Sequence, residues 1–212
     1  PSFDSANPGA ADAGNLGNRT VTEAYEPGST EKVLTMAALT DSGLVTPDTK
    51  VDVPASITSG SGTVTDSFEH GRLKLTVRGV VAQSSNIGTI KLARQLDKAK
   101  LHEYLTSFGL GSAPGSGLPA ETAGSLPEAD MADYTRDQIS FGQGLSVSVV
   151  QMGAALSAAV NGGTYHQPQI IRSATNPDGT PISLATPASR RVISEDASGM
   201  VVNMMESVIT SV

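Results

Sequence analysis

Glu26-Pro27-Gly28-Ser29-Thr30-Glu31-Lys32 opens the first segment with a strong helical pattern, and Val33, Leu34, Met36, Ala37 and Leu39 continue it as an apolar face. Pro27-Gly28 places Ser29 at the first turn of that helix. Free backbone N–H groups and the positive end of the helix dipole favour developing negative charge there. Lys32 lies three residues on, on the same face. A capping box needs Glu or Gln at that position, so capping does not account for the spacing. A lysine so placed can take the Ser29 hydroxyl proton if it is neutral near pH 7. That means lowering its pKa by about 3 from ~10.4, or roughly 4 kcal/mol. Burial beside another cation or a helix N-terminus supplies shifts of that kind. Taken alone, Ser-x-x-Lys is also the pattern of a plain helix start with an exposed lysine, and the chain has 25 serines.

Working outward, Gly43 sits just past the helix as a C-cap and Pro47 closes the linker behind it. Residues 1–27 lack periodicity, with turns at Asn7-Pro8-Gly9, Ala13-Gly14-Asn15 and Gly17-Asn18. Residues 51–72 read as short extended pieces and turns. Thr76 caps a short helix carrying Val77, Val80 and Val81. Ser84-Ser85-Asn86 interrupts it, and a second helix carries Ile87, Ile90, Leu92, Ala93 and Leu96. Leu101, Tyr104, Leu105 and Phe108 form the clearest amphipathic stripe, stopping at Gly109. Residues 109–145 read as one long Gly/Pro/Ser-rich loop. A helix from Ser146 or Ser148 carries Val149, Val150, Met152, Leu156 and Val160 and ends at Asn161-Gly162-Gly163. Tyr165–Ser173 reads as a strand, Asn176-Pro177-Asp178-Gly179 as a turn, and Ile182–Leu184 as its hairpin return. Ser194, Glu195 and Asp196 start a last helix bearing Val201, Val202, Met204, Met205, Val208 and Ile209.

Composition narrows the function. The 212 residues carry 14 basic and 21 acidic side chains, a net charge of −7, which argues against a nucleic-acid or anionic-membrane partner. There is no Cys, so disulfides, thiolate zinc sites and thiol nucleophiles are excluded. No run of 18 apolar residues occurs, and the opening Pro1-Ser2-Phe3-Asp4 is neither a signal peptide nor an initiator Met, which reads as a chain cut from something longer.

Ser84-Ser85-Asn86 is the second chemical feature. A hydroxyl can relay a proton, and a carboxamide can hold both an ammonium group and a substrate amide. The same three residues also suit a plain interhelical turn or N-cap. Together with Ser29-Thr30-Glu31-Lys32, 55 residues earlier, they resemble the active-site signature of penicillin-recognising serine enzymes. The wider text is similar to class B penicillin-binding proteins. Glu26 to Lys32 matches their E-P-G-S-x-x-K motif, Phe141-Gly142-Gln143-Gly144 their G-Q-G segment, and Pro119-Ala120-Glu121-Thr122-Ala123-Gly124 their P-x-E-x-x-G loop. Pro1 to Asp4 fits a place just after an early sheet strand of that fold.

The resemblance implies an α+β, β-lactamase/transpeptidase-like fold, of which residues 1–212 form a partial domain. This part is mainly helical, with most central sheet strands outside it. It also implies a peptidoglycan D,D-transpeptidase. Ser29 is the nucleophile, Lys32 the base, Ser84 the proton relay and Asn86 the substrate-positioning residue, with Ser85 in the variable middle position. No cofactor or metal is called for. Partners are the peptidoglycan stem peptide and β-lactams. The parent protein is expected to be membrane-anchored on the extracytoplasmic face of a bacterial cytoplasmic membrane, in a cell-wall synthesis complex. The family's third motif, Lys-[Ser/Thr]-Gly, is absent: the lysines are 32, 50, 74, 91, 98 and 100, and none precedes Ser/Thr-Gly. That motif holds the substrate carboxylate beside the oxyanion hole, where loss of one donor alone costs about 10²–10³ in rate.

Two alternatives stand beside this reading. One is a catalytically silent fragment or interaction module, using the 109–145 loop and the last helix. The other is a serine β-lactamase, whose deacylating Glu would have to be Glu121, although its context lacks the accompanying Asn. His70, His102 and His166 are scattered singly and read as surface or core residues. Asp130, Asp133 and Asp137 read as a solvated acidic stretch, and Met200, Met204 and Met205 as core packing.

Overall fold

Residues 3–4, 6–12 and 17–210, which the computed structural model describes, contain eight α-helices, two 3-10 turns and four two-stranded antiparallel ribbons joined by irregular segments. The expected turn at 13–15 and the opening 1–2 lie outside the described residues. A 3-10 turn, Pro8–Ala10, and the four-residue α1, Arg19–Thr22, punctuate the otherwise irregular lead-in. The side chain of Asn18 caps α1 by accepting from Thr20 N. One turn of helix is too short to leave a periodic pattern.

A second 3-10 turn, Gly28–Thr30, leads into α2, Lys32–Asp41. Helix α2 differs from the expected amphipathic helix. Leu34, Thr35, Met36, Ala37, Ala38, Leu39 and Thr40 are all buried, while Val33 is only half-buried. A helix apolar around most of its girth belongs inside the molecule. It packs against α4, Asn86–Ala93; α5, Lys98–Ser107; α7, Val149–Val160; and α8, Glu195–Thr210. Gly43 ends it at φ +68°, the left-handed conformation that glycine adopts at little cost.

Strands β1 (Lys50–Val53) and β4 (Leu73–Thr76) pair, and β2 (Ile57–Ser59) and β3 (Gly62–Val64) form a tight hairpin between them. Thr76 then caps α3, Val77–Ala82, with its hydroxyl accepting from Gly79 N. The 109–145 segment is not one loop. It contains α6, Asp133–Ile139, whose Ile139 is fully buried. Asp137 is buried rather than solvated: it accepts from Ser59 Oγ at 2.7 Å and Arg94 Nη2 at 2.6 Å, fastening α6 to α4 and β2. The rest of the segment is tied down by Gln151, which donates to Ser112 O and Ala123 O and completes a capping box with Ser148 at the start of α7.

The expected strand 165–173 is shorter. Strand β5 is Thr164–His166, and it pairs with β8, Ser189–Arg191, which the sequence pattern did not mark. Strands β6, Ala174–Thr175, and β7, Pro181–Ile182, flank the 176–179 turn. Helix α8 buries Val201 and Met204, but Val208 and Ile209 near its end are exposed. Among the described residues no helix is long and apolar enough to cross a membrane.

Candidate active site

Two segments meet at the start of α2. In the first, Pro27 and Gly28 (φ +56°) turn the chain. Thr30 Oγ1 donates to Pro27 O at 2.8 Å and Glu31 N to Gly28 O at 3.0 Å, closing the 3-10 turn. Ser29 is exposed on this turn, and its hydroxyl has no hydrogen-bond partner among the described residues. The 141–145 loop presses on the turn from outside. Gly28 N donates to Gly142 O at 2.9 Å and Gly144 N to Glu26 Oε1 at 2.8 Å. Gly142 has φ +87°, and a Cβ there would lie 1.9 Å from Gly28 O, so only glycine fits.

The second segment is the turn between α3 and α4. Ser84 N donates to Val81 O and Ser85 N to Val80 O, both at 3.0 Å. This is the Schellman closure of a helix end, with Ser84 at φ +53° in the place that glycine usually takes. A left-handed serine costs roughly 1–2 kcal/mol. That conformation aims Ser84 back toward α2.

Lys32 joins the two segments. Its Nζ, on a residue only 4% exposed, donates to Ser84 O at 2.5 Å, Ser84 Oγ at 3.0 Å and Asn86 Oδ1 at 2.7 Å. Burial lowers its pKa from the ordinary 10.5 to about 8, against the opposing charges of Asp66 and Glu31. The shift has the expected direction, but no second cation supplies it, because the ionisable neighbours are acids. About one lysine in ten is then neutral at pH 7, at a cost near 1.4 kcal/mol. Glu31 is fully buried beneath the turn. Desolvation raises its pKa well above the ordinary value, and the Thr35 hydroxyl and Lys32 pull the other way.

The structure therefore brings Lys32, Ser84 and Asn86 into one hydrogen-bonded group, with Ser29 one turn ahead on the exposed lip. A neutral Lys32 gives up one N–H and gains a lone pair, which can accept a hydroxyl proton. Two further residues support the group: Ser85, which takes the N-cap role that the Ser-Ser-Asn turn also suggested, and Asp66, which sequence reasoning passed over. Ser85, fully buried, caps α4 by accepting from Gly88 N at 2.9 Å and donates to Asp66 Oδ2 at 2.7 Å. Asp66 is buried in the segment between β3 and β4, and no local pattern marks it. Glu121, the acid a β-lactamase would need, instead accepts from Gly115 N, Ser116 N and Leu118 N within its own loop. Among the described residues no His/Asp/Glu group is arranged to hold a metal.

A serine ahead of a buried lysine that is met by a hydroxyl–carboxamide pair has the groups that acyl transfer through a serine needs. The chain belongs to the penicillin binding protein transpeptidase domain family, whose sequence profile matches residues 1–212. It is 38% identical over 195 residues to penicillin-binding protein PbpB of Mycolicibacterium smegmatis, covering 92% of this chain and 30% of that protein. It is 31% identical over 210 residues to peptidoglycan D,D-transpeptidase FtsI of Escherichia coli, covering 98% of this chain and 33% of that protein. The crystal structure of penicillin binding protein 3 from Mycobacterium tuberculosis complexed with aztreonam superposes with a TM-score of 0.89 at 36% identity, covering 99% of this chain and 46% of that one. The chain thus spans less than half the length of the first curated relatives it matches.

Proposed function

We propose that the protein containing these residues is a peptidoglycan D,D-transpeptidase, and that residues 1–212 are the helix-rich central part of its transpeptidase domain. The observation that carries the reading is the three-way bond of Lys32 Nζ to Ser84 and Asn86, across more than 50 residues of chain. Neutral Lys32 takes the proton from Ser29 Oγ as the oxygen bonds to the carbonyl carbon of the penultimate D-Ala. The C–N bond to the terminal D-Ala then breaks, and Ser84, bonded to Lys32, passes a proton to the leaving amine. An amine from a neighbouring strand attacks the ester, loses its proton to the same pair and regenerates Ser29. Asn86 keeps Lys32 in place through Oδ1 while its Nδ2 donates to Thr65 O at 3.2 Å, and the second Nδ2 hydrogen is the one a substrate carbonyl would use. β-Lactams, as cyclic amides, acylate Ser29 by the first half of this sequence.

The wider setting belongs to the same proposal. The parent protein is anchored at the extracytoplasmic membrane face within a cell-wall synthesis complex, and its Lys-[Ser/Thr]-Gly motif lies elsewhere in that protein. Fluorescent penicillin tests the site. The full-length protein labels at Ser29, Ser29→Ala abolishes labelling, and residues 1–212 alone label little because they lack the third motif. Labelling that survives Ser29→Ala refutes the nucleophile. Efficient labelling of residues 1–212 alone refutes the need for the third motif.

A further inference from the structure

The turn that carries Ser84 and Asn86 is strained at Ser84, so something must hold it. Its own bonds close the α3 end and start α4, where Thr89 N donates to Ser85 O at 3.2 Å and Gly88 N to Ser85 Oγ at 2.9 Å, but none of them ties the turn to a neighbouring segment. Asp66 does. Its Oδ1 accepts from Ile87 N at 2.9 Å and its Oδ2 from Ser85 Oγ at 2.7 Å, so one carboxylate grips the turn through both backbone and side chain. The Asp66 side chain is fully buried. Behind it His70, whose side chain is 6% exposed, places Nε2 3.1 Å from Asp66 Oδ2 and Nδ1 2.6 Å from Gly71 O. Thr65 O, next to Asp66, accepts from Asn86 Nδ2, so the same segment holds three consecutive residues, Ser85, Asn86 and Ile87, immediately after Ser84.

We propose that Asp66, backed by His70, is a positioning residue for acyl transfer, holding Ser84 and Asn86 in register with Lys32 from a segment outside the known signature. The proposal rests on the transpeptidase reading above. It has an electrostatic consequence. Among the described residues, the ionisable groups acting on Lys32 are Glu31, next to it in the chain, and Asp66, with His70 against its far side. The α3–α4 turn contributes only uncharged Ser84, Ser85 and Asn86. Asp66 favours the protonated amine, so its removal makes Lys32 easier to deprotonate.

The test is the rate of penicillin acylation of the full-length protein between pH 6 and 10. Asp66→Asn keeps the size and one acceptor but removes the charge. It is expected to move the rising limb of the rate to lower pH by about one unit, with a lower plateau. Ser85→Ala breaks one grip and leaves the charge, so its plateau falls about tenfold while the limb stays in place. A part with no role beyond folding would change only the amplitude of labelling, the amount of active protein, and leave both the acylation rate constant and the limb unmoved, so the tenfold fall in Ser85→Ala is read from the rate constant. An unmoved limb in Asp66→Asn, or an unchanged rate in Ser85→Ala, overturns the proposal. The Ser85 arm stands even if Asp66→Asn fails to fold. Ser29→Ala run alongside separates the two levels: residual labelling there defeats the transpeptidase reading, whatever the pH profiles show.

Discussion

Lys32 should make the folded protein more stable as the solution becomes alkaline. Its pKa is about 8 in the fold, against 10.5 ordinarily, because burial penalises the ammonium form. Between those two values the unfolded chain binds more protons than the folded one, so stability rises with pH. Below about pH 8 the full penalty is present, and above about 10.5 it is gone. The gap between the two values corresponds to about 3 kcal/mol, with a steepest slope near 1.4 kcal/mol per pH unit. Other groups titrate in this range. Tyr104 and Tyr165 are raised by burial and act in the opposite sense at higher pH. The clean measurement is therefore a difference. Urea unfolding of the full-length protein and its Lys32→Met variant, from pH 7 to 10.5, cancels the groups that Lys32 does not touch, leaving Lys32 and the buried Glu31 coupled to it. The lost hydrogen bonds to Ser84 and Asn86 add only a constant offset. We expect the wild type to gain about 3 kcal/mol on the variant across that window. The acylation rate should rise about tenfold per pH unit below 8 and flatten above it. A flat stability difference, together with an acylation limb far from pH 8, would refute a buried, easily deprotonated lysine.

Three further outcomes follow from the geometry. Ser84→Gly relieves the left-handed serine that Ser84→Ala keeps, so the glycine variant should be the more stable of the two by about 1 kcal/mol, with both losing acylation; equal melting temperatures would argue against strain at this turn. Asp137→Ala leaves Arg94 and Arg136 without their buried partner and should cost about 3 kcal/mol in urea unfolding. Against its own desolvation, the Asp137 carboxyl is held below its ordinary 3.8 by Arg94 and Ser59, so its contribution is full above that pH and fades as acidification passes the folded value. Gly142→Ala should cut penicillin labelling by about 10²-fold, because the added methyl displaces Gly28 and the Ser29 turn with it; near-normal labelling would show that this loop is free to yield.

The sequence made some of this architecture legible for local reasons. The α5 stripe, the Ser148 cap of α7 and the acidic start of α8 are encoded within a few residues each. The Ser-x-x-Lys and Ser-Ser-Asn segments were legible as a pair through family likeness, since nothing in either predicts a contact across 52 residues. Helix α6 was hidden because seven residues in a Gly/Pro-rich stretch make too few turns for a period to emerge. Asp137 looked solvated because its partners, Ser59 and Arg94, come from distant elements. Asp66 was silent for the same reason: its value depends on bonds to residues 19 and 21 positions away. Strand β8 is three exposed polar residues, Ser189-Arg190-Arg191, which leaves no apolar alternation to read; its side-chain contacts, Ser189 Oγ 3.2 Å from His166 Nδ1 and Arg190 over the Tyr165 ring, are with the distant β5.

The long separation between Lys32 and its partners also bears on assembly of the molecule. Closing the intervening chain costs an entropy of about 3.5 kcal/mol before any bond between them forms. The β1–β4 ribbon, α3 and the α4 cap must be in place before the amine meets its oxygens, so reactivity is a late product of folding. Covalent labelling by penicillin during refolding should therefore lag behind the recovery of helix signal, and its delay gives a clock for the completion of this domain.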